Sequence, residues 1–312
     1  MSKVELQSNE QMISYIKKSY LYSWADLKQL LKIGIINSNT MTAFAGFWLA
    51  LYFTSTSFYA NWHMLLVCVF GTAFIIAGGC VLNNYYDRDI DKVMNRTKKR
   101  PTVTGTMKLG DILLIGISLT IVGLSILLLA SPQTAIIGFV GWFSYVVLYT
   151  MWTKRKYTIN TAVGSLSGAI PPLIGWSCID PNLHPFALLL FLLIFIWQTP
   201  HFLAIAMKKV NEYKIANIPM LPVVYGFKMT KRQMLVYIIC LLPIPFFMND
   251  LGTVFVVIAS ILNVVWLMLA LKGFKVGNND KKWANQMFLY SLLYLTVIFI
   301  LMITISFPTA LF

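Results

Sequence analysis

The chain has 312 residues, of which 58% are hydrophobic and only 12% are charged, and its mean hydropathy is +0.72. A water-soluble domain needs far more charge on its surface, so this composition excludes one and indicates an integral membrane protein. The formal net charge of +14 does not indicate nucleic-acid binding, because no soluble basic domain is present to carry it.

A polar segment and nine apolar stretches of membrane-spanning length follow one another along the chain. In the segment 1–36, Leu27, Leu30 and Leu31 recur at helical spacing, which predicts an amphipathic helix on the membrane surface. Residues 37–312 are predicted to form one all-α membrane domain. Its spans are placed at residues 38–57, 62–84, 111–131, 134–152, 160–177, 185–207, 233–249, 251–271 and 285–306.

The positions of the 25 Lys and Arg residues test this count independently. They fall only in the N-terminal segment and in the connections after spans 2, 4, 6 and 8. The positive-inside rule then predicts a cytoplasmic N-terminus, nine crossings and an outer C-terminus. The basic face is expected to contact anionic lipid head groups, and a bacterial inner (cell) membrane is the expected location.

The two longest inner connections follow spans 2 and 6, which are four helices apart. This spacing favours two parallel four-helix units with a ninth helix added, and a site between the two units.

The first of these connections carries an acidic cluster followed by a basic one at the membrane boundary. Asn83, Asp87 and Asp91 are spaced by four, so on a helix they line one face. Oxygen ligands with room for water suit Mg²⁺, and cations such as Arg96 and Arg100 suit phosphate. The pattern predicts a magnesium–diphosphate site. The alternative is a solvated helix end whose acids pair with neighbouring cations.

Three ordered stretches carry a family resemblance. NNYYDRDIDKVMNRTKKRP (83–101) resembles the first aspartate-rich motif of the UbiA-type intramembrane prenyltransferases, and it is most similar to the branch that farnesylates protohaem IX. YTMWTKRKYTINTAVGSLSGAIPPLIGW (149–176) and WQTPHFLAIAMKKVNEYKIANIPMLPVVYG (197–226) agree with that branch. The resemblance implies Mg²⁺-dependent transfer of a farnesyl group from farnesyl diphosphate to a vinyl group of haem b, on the cytoplasmic side. It also implies a haem A synthase downstream.

The residues and the resemblance together give the candidate site. The expected metal ligands are Asn83, Asp87, Asp91 and Glu212. The expected catalytic residues are Asn83, Asp87, Asp91, Arg96, Arg100, Lys154 and Arg155. The expected substrate-binding residues are Asn84, Tyr145, Tyr149, Asn160, His201, Lys208, Lys209, Glu212 and Tyr213. Many family members have a second aspartate pair after span 6, where this chain has Asn211 and Glu212, and only Glu212 offers a carboxylate.

Two features lie within the spans themselves. His201 in span 6 is a site candidate, because ionisable groups inside a membrane usually have a function. It is expected to ligate haem iron, to guide a proton or to hydrogen-bond to a neighbouring helix. Pro171 and Pro172 are expected to break span 5 beside a cavity, because prolines free backbone carbonyls that need partners.

Besides a haem-binding or assembly protein without turnover, two other functions fit parts of the pattern. One is a prenyltransferase that acts on a quinone-precursor ring, and the details of the 83–101 and 197–226 stretches favour haem over it. The other is a transporter gated by the broken fifth span. Carriers usually place ionisable groups deep within their spans, whereas here these groups gather at one surface.

Overall fold

The computed structural model describes residues 22–275 and 279–311, and every regular element within those ranges is helical. Residues 1–21 of the predicted N-terminal segment lie outside the described part. The first half of the chain forms α1 (Trp24–Leu31), α2 (Ile33–Phe53), α3 (Phe58–Tyr86), α4 (Arg88–Val93), α5 (Pro101–Thr104), α6 (Leu109–Leu128), α7 (Pro132–Phe143), a π-helix (Ser144–Thr153) and α8 (Lys154–Lys156).

The second half continues with a broken helix and four long ones, joined by short turns of helix. Its elements are α9 (Asn160–Ala169), α10 (Pro171–Ser177), α11 (Pro185–Lys208), α12 (Val210–Ile215), α13 (Leu221–Val224), α14 (Gly226–Leu241), α15 (Ile244–Phe247), a 3₁₀ turn (Asn249–Leu251), α16 (Thr253–Lys272) and α17 (Asp280–Leu311).

In the described ranges, seven helical segments are long and apolar enough to cross a membrane, so the chain is a multi-span membrane protein. They correspond to predicted spans 2, 3, 4, 6, 7, 8 and 9. Predicted span 1 lies largely in α2, which has 21 residues but contains polar ones in its second turn, such as Asn37, Ser38 and Asn39. Predicted span 5 is divided between α9 and α10. The count of nine crossings and the orientation of the termini stay predictions.

The break in span 5 falls where its prolines predict it. α9 ends at Ala169 and α10 begins at Pro171, and Ile170 between them contributes to the wall of a cavity. α9 packs on the π-helix and α11, whereas α10 packs on α2. Because of the break, the two halves of this span pack against different neighbouring helices.

Span 7 begins earlier than expected. α14 starts at Gly226 rather than near 233, and its first turns contain Lys228, Lys231 and Arg232, which hid the helix in a hydropathy reading. Lys231 is buried, and its Nζ donates to the carbonyl oxygen of Gly273 at 2.6 Å and to Asp280 Oδ1 at 2.5 Å. These partners, at the end of α16 and the start of α17, compensate the buried charge of Lys231, which the sequence alone places in a loop.

Helix α1 lies within the segment for which an amphipathic surface helix is predicted. Its Leu30 is fully buried against Val81 of α3 and Met107 and Ile112 near the start of α6. Asn84 Nδ2 donates to the carbonyl oxygen of Leu30 at 2.8 Å, which ties α1 to the end of α3. The chain then turns into α2 through a residue with φ of 56°, Lys32.

Helices α2 and α10 approach so closely that glycine is required at the contact. A Cβ on Gly175 would lie 1.8 Å from the carbonyl oxygen of Ala43, and one on Gly46 would lie 2.1 Å from that of Pro172. Small residues permit this kind of backbone approach between membrane helices.

We expect Gly175→Ala to destabilise the protein, because the obstructing atom belongs to the backbone and the two helices must separate. Overpacking of this kind costs about 1–3 kcal/mol. Thermal unfolding of purified protein in detergent measures it, with Gly110→Ala as the control, since a Cβ on Gly110 meets nothing within 4 Å. Equal midpoints for the two variants would contradict the packing argument.

Candidate active site

A cavity of about 1280 Å³ lies between the helices. Most small-molecule pockets measure about 300–1,000 Å³, so this one has room for more than one substrate. Its wall is largely apolar, with side chains from α2, α3, α7, α11 and α17. Charged residues of the connections after α3, the π-helix and α11 also line it, and they form what is called the charged end below.

The first motif forms consecutive helical turns across the junction of α3 and α4. The backbone N–H of Asp87 donates to the carbonyl oxygen of Asn83, and that of Asp91 donates to Asp87, each at 2.9 Å. The three side chains are buried, at 3%, 0% and 3% exposure. They therefore share one face, and that face points inward rather than into solvent.

Asp87 is held by groups from its own helix and from the connection after the π-helix. Its Oδ2 accepts from Asn83 Nδ2 at 2.8 Å and from Lys154 Nζ. Asn83 Nδ2 also donates to Thr150 Oγ1 at 3.0 Å. Arg155 Nη2 lies 3.5 Å from Asp87 Oδ1, and that oxygen is buried without a hydrogen bond.

The π-helix explains how Thr150 and Lys154 reach this position. Thr150 Oγ1 donates to the carbonyl oxygen of Tyr145 and Thr153 Oγ1 to that of Leu148, both five residues back and both at 2.8 Å. π-Helical turns occur frequently at functional sites. Here the wide turn leaves Tyr145 and Tyr149 stacked, with centroids 5.9 Å apart and an interplanar angle of 13°, and both line the cavity.

Cations surround the remaining oxygens of the motif. Arg100 Nη1 donates to Asp91 Oδ2 at 2.6 Å, and Arg96 lines the same cavity. Lys32, between α1 and α2, donates to Asn83 Oδ1. Desolvation lowers the pKa of Lys32 to about 8, and the nearby positive charges of Arg100 and Lys154 act in the same direction.

Lys32 is a site residue that the sequence pattern did not predict. It lies in a cationic stretch before the first span, where a membrane anchor is the ordinary interpretation. No spacing rule connects it with Asn83, 51 positions further on. The only available signal is its position at the end of the amphipathic helix.

Residues of the 149–176 and 197–226 stretches face the same cavity from the other half of the chain. Asn160, Lys209, Glu212 and Tyr213 line it, and Lys209 Nζ donates to Glu212 Oε1 at 2.8 Å. An apolar cluster joins the connections after α3 and α11, and its buried members are Ile90, Met94, Ala206, Ile218 and Met220. Residues of the 83–101 and 197–226 stretches that are more than 100 positions apart are thus brought to one cavity.

His201 lines the cavity from the middle of α11. Its Nδ1 lies 2.7 Å from Ser291 Oγ of α17, and its ring stacks on Trp197 with centroids 4.9 Å apart.

Three of the expected residues have other partners. Asn84 holds α1, as described above, and Lys208 donates to Asn285 Oδ1 at 2.6 Å. Arg155 forms a bidentate salt bridge with the exposed Asp89, at 2.7 Å to each carboxylate oxygen. This hydrogen bonding lowers the pKa of Asp89 to about 2. These three side chains are not part of the cavity wall, and neither is that of Asp87, which lies behind Asn83 and Lys154 of the wall.

The donor set fits a magnesium ion that keeps most of its ligands from water and phosphate. Asp87 Oδ1 and Glu212 Oε2 are both buried and lack hydrogen-bond partners. Among the described residues, no three His, Cys, Asp or Glu side chains form a metal-binding group by themselves. A site here therefore needs the Asn83 amide or non-protein oxygens, and Mg²⁺ accepts both.

Comparison with known proteins gives consistent matches. The model of the UbiA prenyltransferase family matches residues 39–292. The chain is 56% identical over 283 residues to the protoheme IX farnesyltransferases of Bacillus thuringiensis (strain Al Hakam) and Bacillus cereus (strain B4264), covering 90% of this chain and 92% of each relative.

Solved structures show the same fold at low sequence identity. One, described as giving insights into the biosynthesis of digeranylgeranylglyceryl phosphate synthase in membranes, has a TM-score of 0.73 and 18% identity, over 90% of this chain and 98% of that chain. A UbiA homolog from Archaeoglobus fulgidus bound to DMAPP and Mg²⁺ has a TM-score of 0.65 and 12% identity, over 91% and 99%.

Proposed function

The chain belongs to the UbiA prenyltransferase family, and we propose that it transfers a farnesyl group from farnesyl diphosphate to a vinyl group of haem b, giving haem O. The observation that carries this proposal is one cavity with a charged end and a long apolar interior. The charged end suits a diphosphate, and the apolar interior suits both a farnesyl chain and a porphyrin. The naming of relatives at 56% identity supports haem as the acceptor.

The charged end would hold the diphosphate. Asn83, Asp87, Asp91 and Glu212 are the proposed ligands of Mg²⁺, which would neutralise negative charge on the diphosphate oxygens. Arg96, Arg100, Lys154 and Lys209 are the proposed donors to that group, and Asn160 and Tyr213 complete the wall beside it. Fixed cations of this kind stabilise the charge that develops as the allylic C–O bond breaks.

The apolar interior would hold the farnesyl chain after that bond loosens. Exclusion of bulk water protects an allylic cation from premature hydrolysis. Tyr145 and Tyr149, which stack on each other and line the cavity next to Lys154, would supply π-density close to the place where the positive charge develops. The vinyl group then forms the new C–C bond, and water adds to the cation left on the acceptor, giving a hydroxyethylfarnesyl side chain and releasing a proton.

The setting follows from the charge distribution. We propose nine crossings of a bacterial cell membrane, with the N-terminus and the charged end on the cytoplasmic side, where Lys and Arg gather. A haem A synthase would use the product.

The direct test is incubation of purified protein with farnesyl diphosphate, Mg²⁺ and haem b, with mass analysis of the extracted haem. Farnesylated haem is the expected product. Product only with an aromatic acid acceptor would instead support the quinone-precursor function.

Chelation of divalent metal by EDTA is expected to stop this reaction, and excess Mg²⁺ is expected to restore it. The structural reason is that Asp87 and Glu212 each have a buried carboxylate oxygen that accepts no hydrogen bond. The rate of haem O formation should fall by on the order of 100-fold or more, because the leaving diphosphate loses its main charge partner. Undiminished turnover in EDTA would remove the metal from the proposal.

A further inference from the structure

We infer that His201 is the axial ligand of the haem b iron, through Nε2, and that Ser291 orients the imidazole ring for this role by its hydrogen bond with Nδ1. The inference rests on the proposed function, because it concerns how the acceptor is bound. It assigns a metal–ligand bond to the acceptor, which the diphosphate chemistry does not require.

The hydrogen bonds determine which nitrogen of His201 is available. Ser291 Oγ donates its only proton to the carbonyl oxygen of Phe288 at 2.6 Å. With that proton on the carbonyl oxygen, Ser291 Oγ accepts at its 2.7 Å contact with His201 Nδ1, and we assign the imidazole proton to Nδ1 on this basis. The neutral ring then has its lone pair on Nε2. Metal-binding histidines usually donate their other N–H to an oxygen in this way.

The orientation of the ring is also fixed before any ligand binds. The imidazole stacks on Trp197, whose Nε1 donates to the carbonyl oxygen of Ser291 at 2.9 Å. The ring of Phe288 lies 5.1 Å away, centroid to centroid. The imidazole is thus held between α11 and α17.

The ring also lies on the part of α11 that faces the cavity. Gln198, His201, Phe202 and Ile205 all line the cavity and recur at helical spacing. Within the described residues, Nε2 of His201 has no hydrogen-bond partner of its own, so it is the nitrogen available to a ligand in that space.

The distance to the charged end suits a porphyrin bound at this point. His201 precedes Lys209 by eight residues, which corresponds to about 12 Å along a helix axis. Iron held at His201 would therefore allow the rim of the macrocycle, where the vinyl groups lie, to reach the allylic carbon beside the diphosphate. The other two histidines in the sequence are not part of the cavity wall.

The test compares haem b with metal-free protoporphyrin IX, which has the same shape and no iron. We expect His201→Ala to weaken haem b binding by on the order of 100-fold, and protoporphyrin IX binding by less than about threefold. The ferric haem spectrum should lose its histidine-ligated form, and added imidazole should restore it. Ser291→Ala should weaken haem b binding by about tenfold. His63→Ala, an exposed histidine of α3, is the matched control and should change neither titration.

The outcomes separate this inference from the proposed function. Equal weakening of both porphyrins, or an unchanged haem spectrum in His201→Ala, would overturn the ligand assignment while wild-type protein still makes haem O. If wild-type protein binds neither porphyrin and forms no haem O, the proposed function itself fails.

Discussion

Asp87→Asn is expected to lower the rate of farnesyl transfer by on the order of 10³-fold without preventing folding. The carboxylate is fully buried directly behind the charged end, where it contacts Asn83 and Lys154 of the cavity wall, and one of its oxygens accepts no hydrogen bond. An asparagine can still accept from Lys154 through its amide oxygen. The substitution therefore removes the negative charge that the metal requires while it keeps the shape of the site.

The control for this variant lies two residues away. Asp89→Asn removes the same charge from the first turn of α4, directly after Asp87, but Asp89 is 62% exposed and pairs with Arg155 at the surface. Exposed ion pairs contribute about 0–1 kcal/mol, so we expect activity within about fivefold of wild type.

The measurements are the rate of haem O formation and the Mg²⁺ concentration that gives half-maximal rate. Normal turnover in Asp87→Asn would refute the role of Asp87 as a metal ligand. Equal losses in both variants would indicate that general charge on the connection matters, rather than the buried face.

The parts of the site that the sequence predicts well are those in which local spacing determines geometry. Asn83, Asp87 and Asp91 share a face because four residues make roughly one helical turn, and that relation holds wherever the helix lies. The prolines of span 5 predict a break for an equally local reason, since proline lacks the backbone N–H that continues the helix.

The parts that sequence reasoning missed depend on contacts between distant elements. Lys32 meets Asn83 only because α1 packs against the end of α3, and a lysine in a basic leader carries no sign of that contact. Asn84 was predicted to bind substrate because it is adjacent to Asn83. Its side-chain amide instead donates a hydrogen bond to the backbone of α1. The π-helix was likewise not expected, although threonines that bond to carbonyl oxygens five residues back now account for it.

Lys154→Met is expected to reduce the transfer rate by about 10²–10³-fold, mainly in kcat. Lys154 lines the cavity and contacts the buried Asp87, and its ammonium is proposed to stabilise the departing diphosphate. Loss of one preorganised group of this kind has about that effect on a chemical step. Methionine preserves the length and apolar stem of the side chain, so the cavity wall should remain intact.

The matched control separates catalysis from membrane topology. Lys156→Met removes an identical charge from the same connection, but Lys156 is exposed. If these lysines act only as determinants of orientation, the two variants should be equally active, because the positive-inside rule counts charges without regard to which side chain reaches the cavity. If the contact with Asp87 matters, only Lys154→Met should lose activity. Lys154→Arg should recover little of it, because a guanidinium does not fit the place of a compact ammonium.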